Sequence, residues 1–397
     1  MNADLGCSTG MTLQSCKPVL CIDDVKTLLC QRYGIETADV KEFESYDDRT
    51  YYVKTKLGCG IGEGSEFIAK VLNSQNTALQ GVVATHTDVM NHLKSFPELC
   101  CQFALPNLDG DLLSYEIIPN DMRDGDRLIG REEGLSALRL FDFMPGKPLN
   151  TFSPLSPRFC FEAGVHLGKL QQALQEYPGD TKPLKLKASV WQWNVSLLPR
   201  LRNLLPLVVD IQKRRLVEEV IDKFEATVVP SMADLRQGIL YNDFNGDNVL
   251  VIAAAAETGD CSGTNCLMTN SIVRISGVID FDDILHAYLV YEIAIGMMYM
   301  MFCSDEPVAA AAYMLTGFET VSPLPHNERQ LLRVLVGSRL AQSLLISTLQ
   351  TKNHPDNKYV ASSLIKGWSL LEEWWGRTEA QLQELWDSVR VRCTGQL

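Results

Sequence analysis

Asp243 and Asn248 stand five positions apart in the stretch "LYNDFNGDNVLV" (240–251), and the apolar run after them reads as a strand. That spacing lets a loop fold back so that a carboxylate meets an acceptor hydroxyl while an amide oxygen meets magnesium, the arrangement of a kinase catalytic loop. Downstream, "SGVIDFDD" (276–283) ends an apolar strand in Asp280, a second hard oxygen donor. Mg²⁺ takes one or two such protein groups and completes its shell with phosphates and water. Lys70, in "EFIAKVLN" (66–73), stands where a third-strand lysine would contact those phosphates. Asn, Asp and Gly also make ordinary turns, and a strand lysine is often simply exposed. The order of lysine strand, Asp-x4-Asn loop and strand ending in Ile-Asp-Phe is what points to phosphoryl transfer.

These residues need a scaffold. Two alternating runs within 40–73 suggest three short strands, "TDVMNHLKSF" (87–96) reads as a helix and "LSALRLFDF" (135–143) as a further strand. They form a small α/β lobe over 21–142, preceded by a flexible N-terminus (1–20). Pro145, Gly146 and Pro148 break regular structure and mark a hinge at 143–148. From 149 to 390 the pattern is mainly helical, clearest at 160–175 and 331–350. The small, polar stretch 253–270 reads as a surface hairpin connection. "GCGIGEG" (58–64) opens no helix and has the wrong spacing for a phosphate loop, so it reads as a flexible hairpin.

The chain has 397 residues, 46% apolar and 21% charged, with a formal net charge of −13. A pI near 5.0 argues against nucleic acid and anionic membranes as partners and favours a cationic small molecule. Twelve scattered cysteines without zinc spacing read as reduced thiols of a cytoplasmic protein. The apolar stretch 287–302 is interrupted by Glu292 and is too short to span a bilayer, so it reads as a buried helix. No signal peptide is expected, and nothing specifies an oligomeric state. The six histidines show no triad or metal spacing and are expected to be structural. Met297, Met298, Met300 and Met301 read as helix packing. Trp191 and Trp193 read either as core or as a wall for an amine.

"NDFNGDNVLV", "SGVIDFDD" and "YLVYEIAIGMMYMM" (288–301) resemble the aminoglycoside phosphotransferase and choline kinase superfamily, and within it most closely the hydroxylysine kinases. "SYDDRTYYV" (45–53), "FMPGKP" (143–148), "WN" (193–194), "GFETVSPL" (317–324) and "GSRLAQSLL" (337–345) share in the resemblance, which runs from about residue 20 to 380. It implies an α+β, two-lobed protein-kinase-like fold, with a small sheet-plus-helix lobe and a larger, mainly helical one. It also implies transfer of the terminal phosphoryl of GTP or ATP to the hydroxyl of 5-hydroxy-L-lysine. By this resemblance Asp243 is the catalytic aspartate, Asn248 and Asp280 hold Mg²⁺, and Lys70 contacts phosphate. The loop with Ser45, Tyr46 and Asp47 covers the phosphates, and Phe141, Asp142, Phe143 and Met144 meet the nucleotide base. Three positions depart from the family's pattern. Tyr241 stands where a bracing histidine is usual and is expected to donate from its hydroxyl instead. Asp282 replaces a frequent glycine; it and Asp283 either meet a substrate ammonium or are solvated, with Trp193 as a further substrate contact. The 85–96 helix offers Lys70 only Asp88 as an acidic partner. Choline, ethanolamine and aminoglycosides would also suit an acidic cleft, and a catalytically weak nucleotide-binding module is the reading of a different class.

Overall fold

The computed structural model describes residues 14–43, 45, 48–58, 65–124, 127–253, 273–353 and 358–394. Tyr46, Asp47, residues 59–64 and all but the first residue of the expected hairpin 253–270 lie outside the described residues.

The N-terminal lobe is a six-stranded antiparallel sheet with helices against it. Its strands are β1 (Gln14–Pro18), β2 (Thr37–Phe43), β3 (Arg49–Thr55), β4 (Glu66–Val71), β5 (Ser114–Asp124) and β6 (Arg127–Asp142), in the order β1-β5-β6-β4-β3-β2. The helices are α1 (Ile22–Tyr33), α2 (Ser74–Ala78) and α3 (Val82–His92). Two expectations are corrected here. Residues 14–18, assigned to a flexible N-terminus, form an edge strand whose backbone pairs with Asn120–Asp124. The helix expected at 87–96 runs from 82 to 92 and gives way to short 3-10 turns at Leu93.

The strand period sorts the side chains of β4. Phe67, Ala69 and Val71 point into a core shared with Val25, Leu29 and Tyr33 of α1. Ile68 and Lys70 therefore face the other way, toward the second lobe. α1 stops at Gly34, whose φ of 67° lets its N–H reach the carbonyls of Cys30 and Leu29.

The C-terminal lobe is built from α4 (Pro157–Gln175), α5 (Lys182–Val190), α6 (Ile211–Ser231), α7 (Val290–Phe302), α8 (Pro307–Glu319), α9 (His326–Arg329), α10 (Leu332–Asn353), α11 (Lys358–Trp375) and α12 (Glu379–Thr394). Two small sheets interrupt the helices. Strand β7 (Lys147–Pro148) joins β9 (Val249–Ala253) and β10 (Val273–Val278), while β8 (Gln237–Leu240) pairs with β11 (Leu285–Tyr288). The hinge thus ends in a strand pairing with β9. Gly146 sits there at φ 134°, and a Cβ on it would come within 2.5 Å of Ser276 Oγ. α7 is apolar apart from Glu292 and almost entirely buried, as its sequence implies. No helix among the described residues is long and apolar enough to cross a membrane.

Candidate active site

Each sequence-identified group is set by the end of a short strand. Residues 241–248 form the loop between β8 and β9, and residues 279–284 follow β10. Asn242 and Asp280 both take left-handed backbone, φ 69° and 57°, a conformation that Asn and Asp tolerate best among side-chain-bearing residues. Glu292, buried inside α7, fixes the first loop by accepting from Tyr241 N at 2.6 Å and Asn242 N at 3.1 Å. Burial pushes Glu292 up to about 7, although those two amides pull it down.

Tyr241 is fully buried, and its hydroxyl donates to the carbonyl of Ile279, the residue before Asp280. Its ring lies edge-on to Phe281 at 5.0 Å. Asn248 returns the connection, its carbonyl accepting from Ile279 N at 3.0 Å.

Asp243 Oδ2 accepts from the amides of Asn245 at 2.9 Å and Asn248 at 2.6 Å. Burial, with the Asp283 charge added, pushes Asp243 up to about 7, against the opposing pull of Arg339. Since the Asn248 amide nitrogen is committed to Asp243, its oxygen is the atom it can offer a cation. Asp280, with its side chain 43% exposed, supplies a carboxylate close by in the chain fold. Among the described residues no cluster of three His, Cys, Asp or Glu side chains could hold a metal ion on its own. Two hard oxygen donors needing phosphates and water to finish the shell suit a divalent cation such as Mg²⁺.

Lys70 reaches across from β4. Its ammonium lies 2.7 Å from Asp282, 2.9 Å from Asp280 and 3.6 Å from Asp48. Burial works against that charge, but the three carboxylates outweigh it and raise the pKa. Asp48 is itself held by Asn73 N at 2.9 Å, and Ser45 Oγ donates to the Asp48 carbonyl at 2.5 Å.

The family comparison agrees with this geometry. Residues 39–253 match the family described as "Phosphotransferase enzyme family". The chain belongs to this family. It is a kinase, and its acceptor is a hydroxyl group. The hydroxylysine kinase of Bos taurus is 27% identical to this phosphotransferase over 361 residues, 89% of each chain. That of Xenopus laevis is 28% identical over 379 residues, 94% of this chain and 95% of its own. Among solved structures, an amicoumacin kinase in complex with AMP-PNP, Ca²⁺ and Ami aligns with a TM-score of 0.59 at 12% identity, covering 89% of this chain and 94% of its own. A microcompartment-associated aminopropanol kinase aligns at 0.58 and 15% identity, covering 93% and 99%. The two-lobed kinase-like fold is common to them.

Several residues of the phosphotransferase depart from expectation. Asp88 is not a partner of Lys70; Asp48, Asp280 and Asp282 are. Asp282, expected to be solvated or to meet a substrate ammonium, pairs with Lys70 and the guanidinium of Arg139. Burial opposes its charge, but Arg139 and then Lys70 keep it well below the usual carboxylate range. Arg139 stands directly opposite Lys70 on β6 and is 1% exposed. His86, expected to be merely structural, has Nδ1 3.6 Å from Asp282 and Nε2 3.0 Å from the Ile284 carbonyl. The Lys187 ammonium binds the Asp282 carbonyl and lies 4.6 Å from the Trp191 ring. Asp283 remains partly exposed, and burial raises its pKa.

Trp193 lies against a protein cation, its ring 4.9 Å from the Arg339 guanidinium. At the hinge, Phe141 is buried, Asp142 and Phe143 are exposed, and Phe143 N donates to Glu66 at 3.1 Å. The sequence does carry one signal for the unforeseen residues. Arg139 and Arg339 both stand inside apolar runs, where a charge needs a partner.

Proposed function

We propose that this phosphotransferase moves the terminal phosphoryl of GTP or ATP to the hydroxyl of 5-hydroxy-L-lysine. One observation carries the reading: Asp243, its Oδ2 fixed by two amides, lies on a loop that is bonded through the Asn248 carbonyl to Ile279, the residue before Asp280, and Asp280 pairs with Lys70. The names of the curated relatives support the choice of acceptor.

Asp243 orients the acceptor hydroxyl and takes its proton as the new O–P bond forms and the bond to the nucleotide breaks. Lys70 offsets charge on the phosphates, and the loop of Ser45, Tyr46 and Asp47 covers them. The nucleotide base rests on the hinge from Phe141 to Met144. Mg²⁺, held through Asn248 and Asp280, would supply charge neutralisation along the phosphates. Asp283 and the Trp193 face border the acceptor's cationic end. Tyr241 braces the two loops. The free thiols among the described residues fit a cytoplasmic setting.

The test is mass-spectrometric detection of phosphorylated 5-hydroxylysine with Mg²⁺ and GTP or ATP, beside choline, ethanolamine and an aminoglycoside. Asp243→Asn is expected to lower turnover by roughly a thousandfold or more while nucleotide-dependent thermal stabilisation persists. Near-native turnover in Asp243→Asn would refute the assignment. Nucleotide binding without product on any acceptor would instead make the protein a binding module.

A further inference from the structure

Arg339 is a buried cation that makes no ion pair among the described residues. It lies on α10, 1% exposed, where that helix meets α7 and the segment around Trp193. Two other guanidiniums have carboxylates: the buried Arg139 binds Asp282, and the half-buried Arg329 binds Glu319 at 2.9 Å. The helix of Arg339 packs on α7, whose Glu292 holds the catalytic loop, and the Arg339 charge lowers the pKa of Asp243, Asp283 and Glu292.

The two ends of the guanidinium differ. Nη1 has a structural task, donating to the Trp193 carbonyl at 2.6 Å and to Gln342 Oε1 at 3.1 Å. Gln342 in turn donates to the carbonyls of Gln192 and Asn194 at 2.7 and 3.1 Å, so this end clamps one backbone segment. The side-on edge is different. Nε is buried with no hydrogen-bond partner among the described residues, and Nη2 has only a 3.4 Å contact with the hydroxyl of Tyr299. Nε and Nη2 together are the fork that grips a carboxylate through two parallel hydrogen bonds. A buried charge with an unused fork is costly unless an anion completes it. The rings of Trp193 and Tyr299, both partly exposed, lie 4.9 and 5.8 Å from the guanidinium.

We propose that Arg339 anchors the carboxylate of the acceptor, which enters by displacing the Tyr299 hydroxyl from Nη2 and is gripped by Nε and Nη2. This rests on the kinase reading above and sharpens it: the acceptor is a hydroxylated amino acid, and hydroxy-amines that lack a carboxylate are discriminated against at this point.

The experiment is calorimetric titration of 5-hydroxy-L-lysine and of its primary carboxamide, which removes only the negative charge. Wild type is expected to bind the acid roughly 10- to 100-fold more tightly than the amide. Arg339→Gln and Arg339→Lys, the second keeping the charge but losing the fork, should bring the two ligands within about threefold of each other. Equal binding of both by wild type, or binding of neither, overturns the inference without recourse to any variant. So does an equal weakening of both ligands in the folded variants. Phosphoryl transfer is scored separately. Transfer to acid and amide alike keeps the kinase reading and overturns the anchor, whereas charge-selective binding without transfer keeps the anchor and overturns the kinase reading.

Discussion

At the residue level, most of the chemistry depends on which partner each charge has. Asp282 joins Lys70 of one lobe to its own loop and also neutralises Arg139, which is 1% exposed. Asp282→Asn would leave that guanidinium without its carboxylate, and removing one member of a buried pair destabilises by roughly 3–5 kcal/mol. Urea titration should show the loss, and a change below 1 kcal/mol would mean the cluster is dispensable. Tyr241→Phe leaves the Ile279 carbonyl without its donor. We expect stability to fall by about 1–3 kcal/mol, with kcat reduced more than KM is raised. Unchanged kcat would show that the Asp280 loop holds its place unaided. The sequence singled out Asp243, Asn248, Asp280 and Lys70 by their spacing, and the fold brings Asn248 onto Asp243 and Lys70 onto Asp280. The other partners of Lys70 were not legible, since Asp48 and Asp282 lie in segments whose approach only the tertiary fold determines.

At the level of elements, legibility followed periodicity. The alternation in β3 and β4 and the helical spacing in α4 and α10 were plain, and α7 was identified by its length and Glu292. The others were hidden for identifiable reasons. α1 buries only Val25, Leu29 and Tyr33 among charged neighbours, and β5 contains Pro119 and Asn120, which weaken a strand pattern. α4 and α8 pack closer than side chains allow. A Cβ on Gly317 would fall 1.9 Å from the Phe161 carbonyl oxygen, and one on Gly164 would fall 2.0 Å from that of Met314. Gly317→Ala should therefore destabilise by at least about 1–3 kcal/mol. An unchanged melting temperature would contradict the packing described.

Across the whole molecule, buried titratable groups pull stability in opposite directions with pH. His86 and His166 are lowered to about 4 by burial, with Lys187 adding to the effect at His86. Both stay neutral in the fold but take protons once unfolded below about pH 6.5, so their contribution is complete above that value and is lost as pH falls toward 4. Asp243 and Glu292, pushed up to about 7, act in the opposite sense over the range above their unfolded values. A difference measurement isolates the imidazole. The stability of wild type relative to His166→Phe should fall with acidification below pH 6.5, with a slope approaching about 1.4 kcal/mol per pH unit. A pH-independent difference between 6.5 and 4 would rule out the buried neutral state of His166.

Tyr241 has one further consequence. Burial, reinforced by the Asp243 and Asp280 charges, raises its pKa well above that of a free phenol. An imidazole at the same place could change its charge state in mild acid and with it the bond it makes. The phenol remains a neutral donor throughout, so the link from Tyr241 to Ile279 is blind to mild acidification.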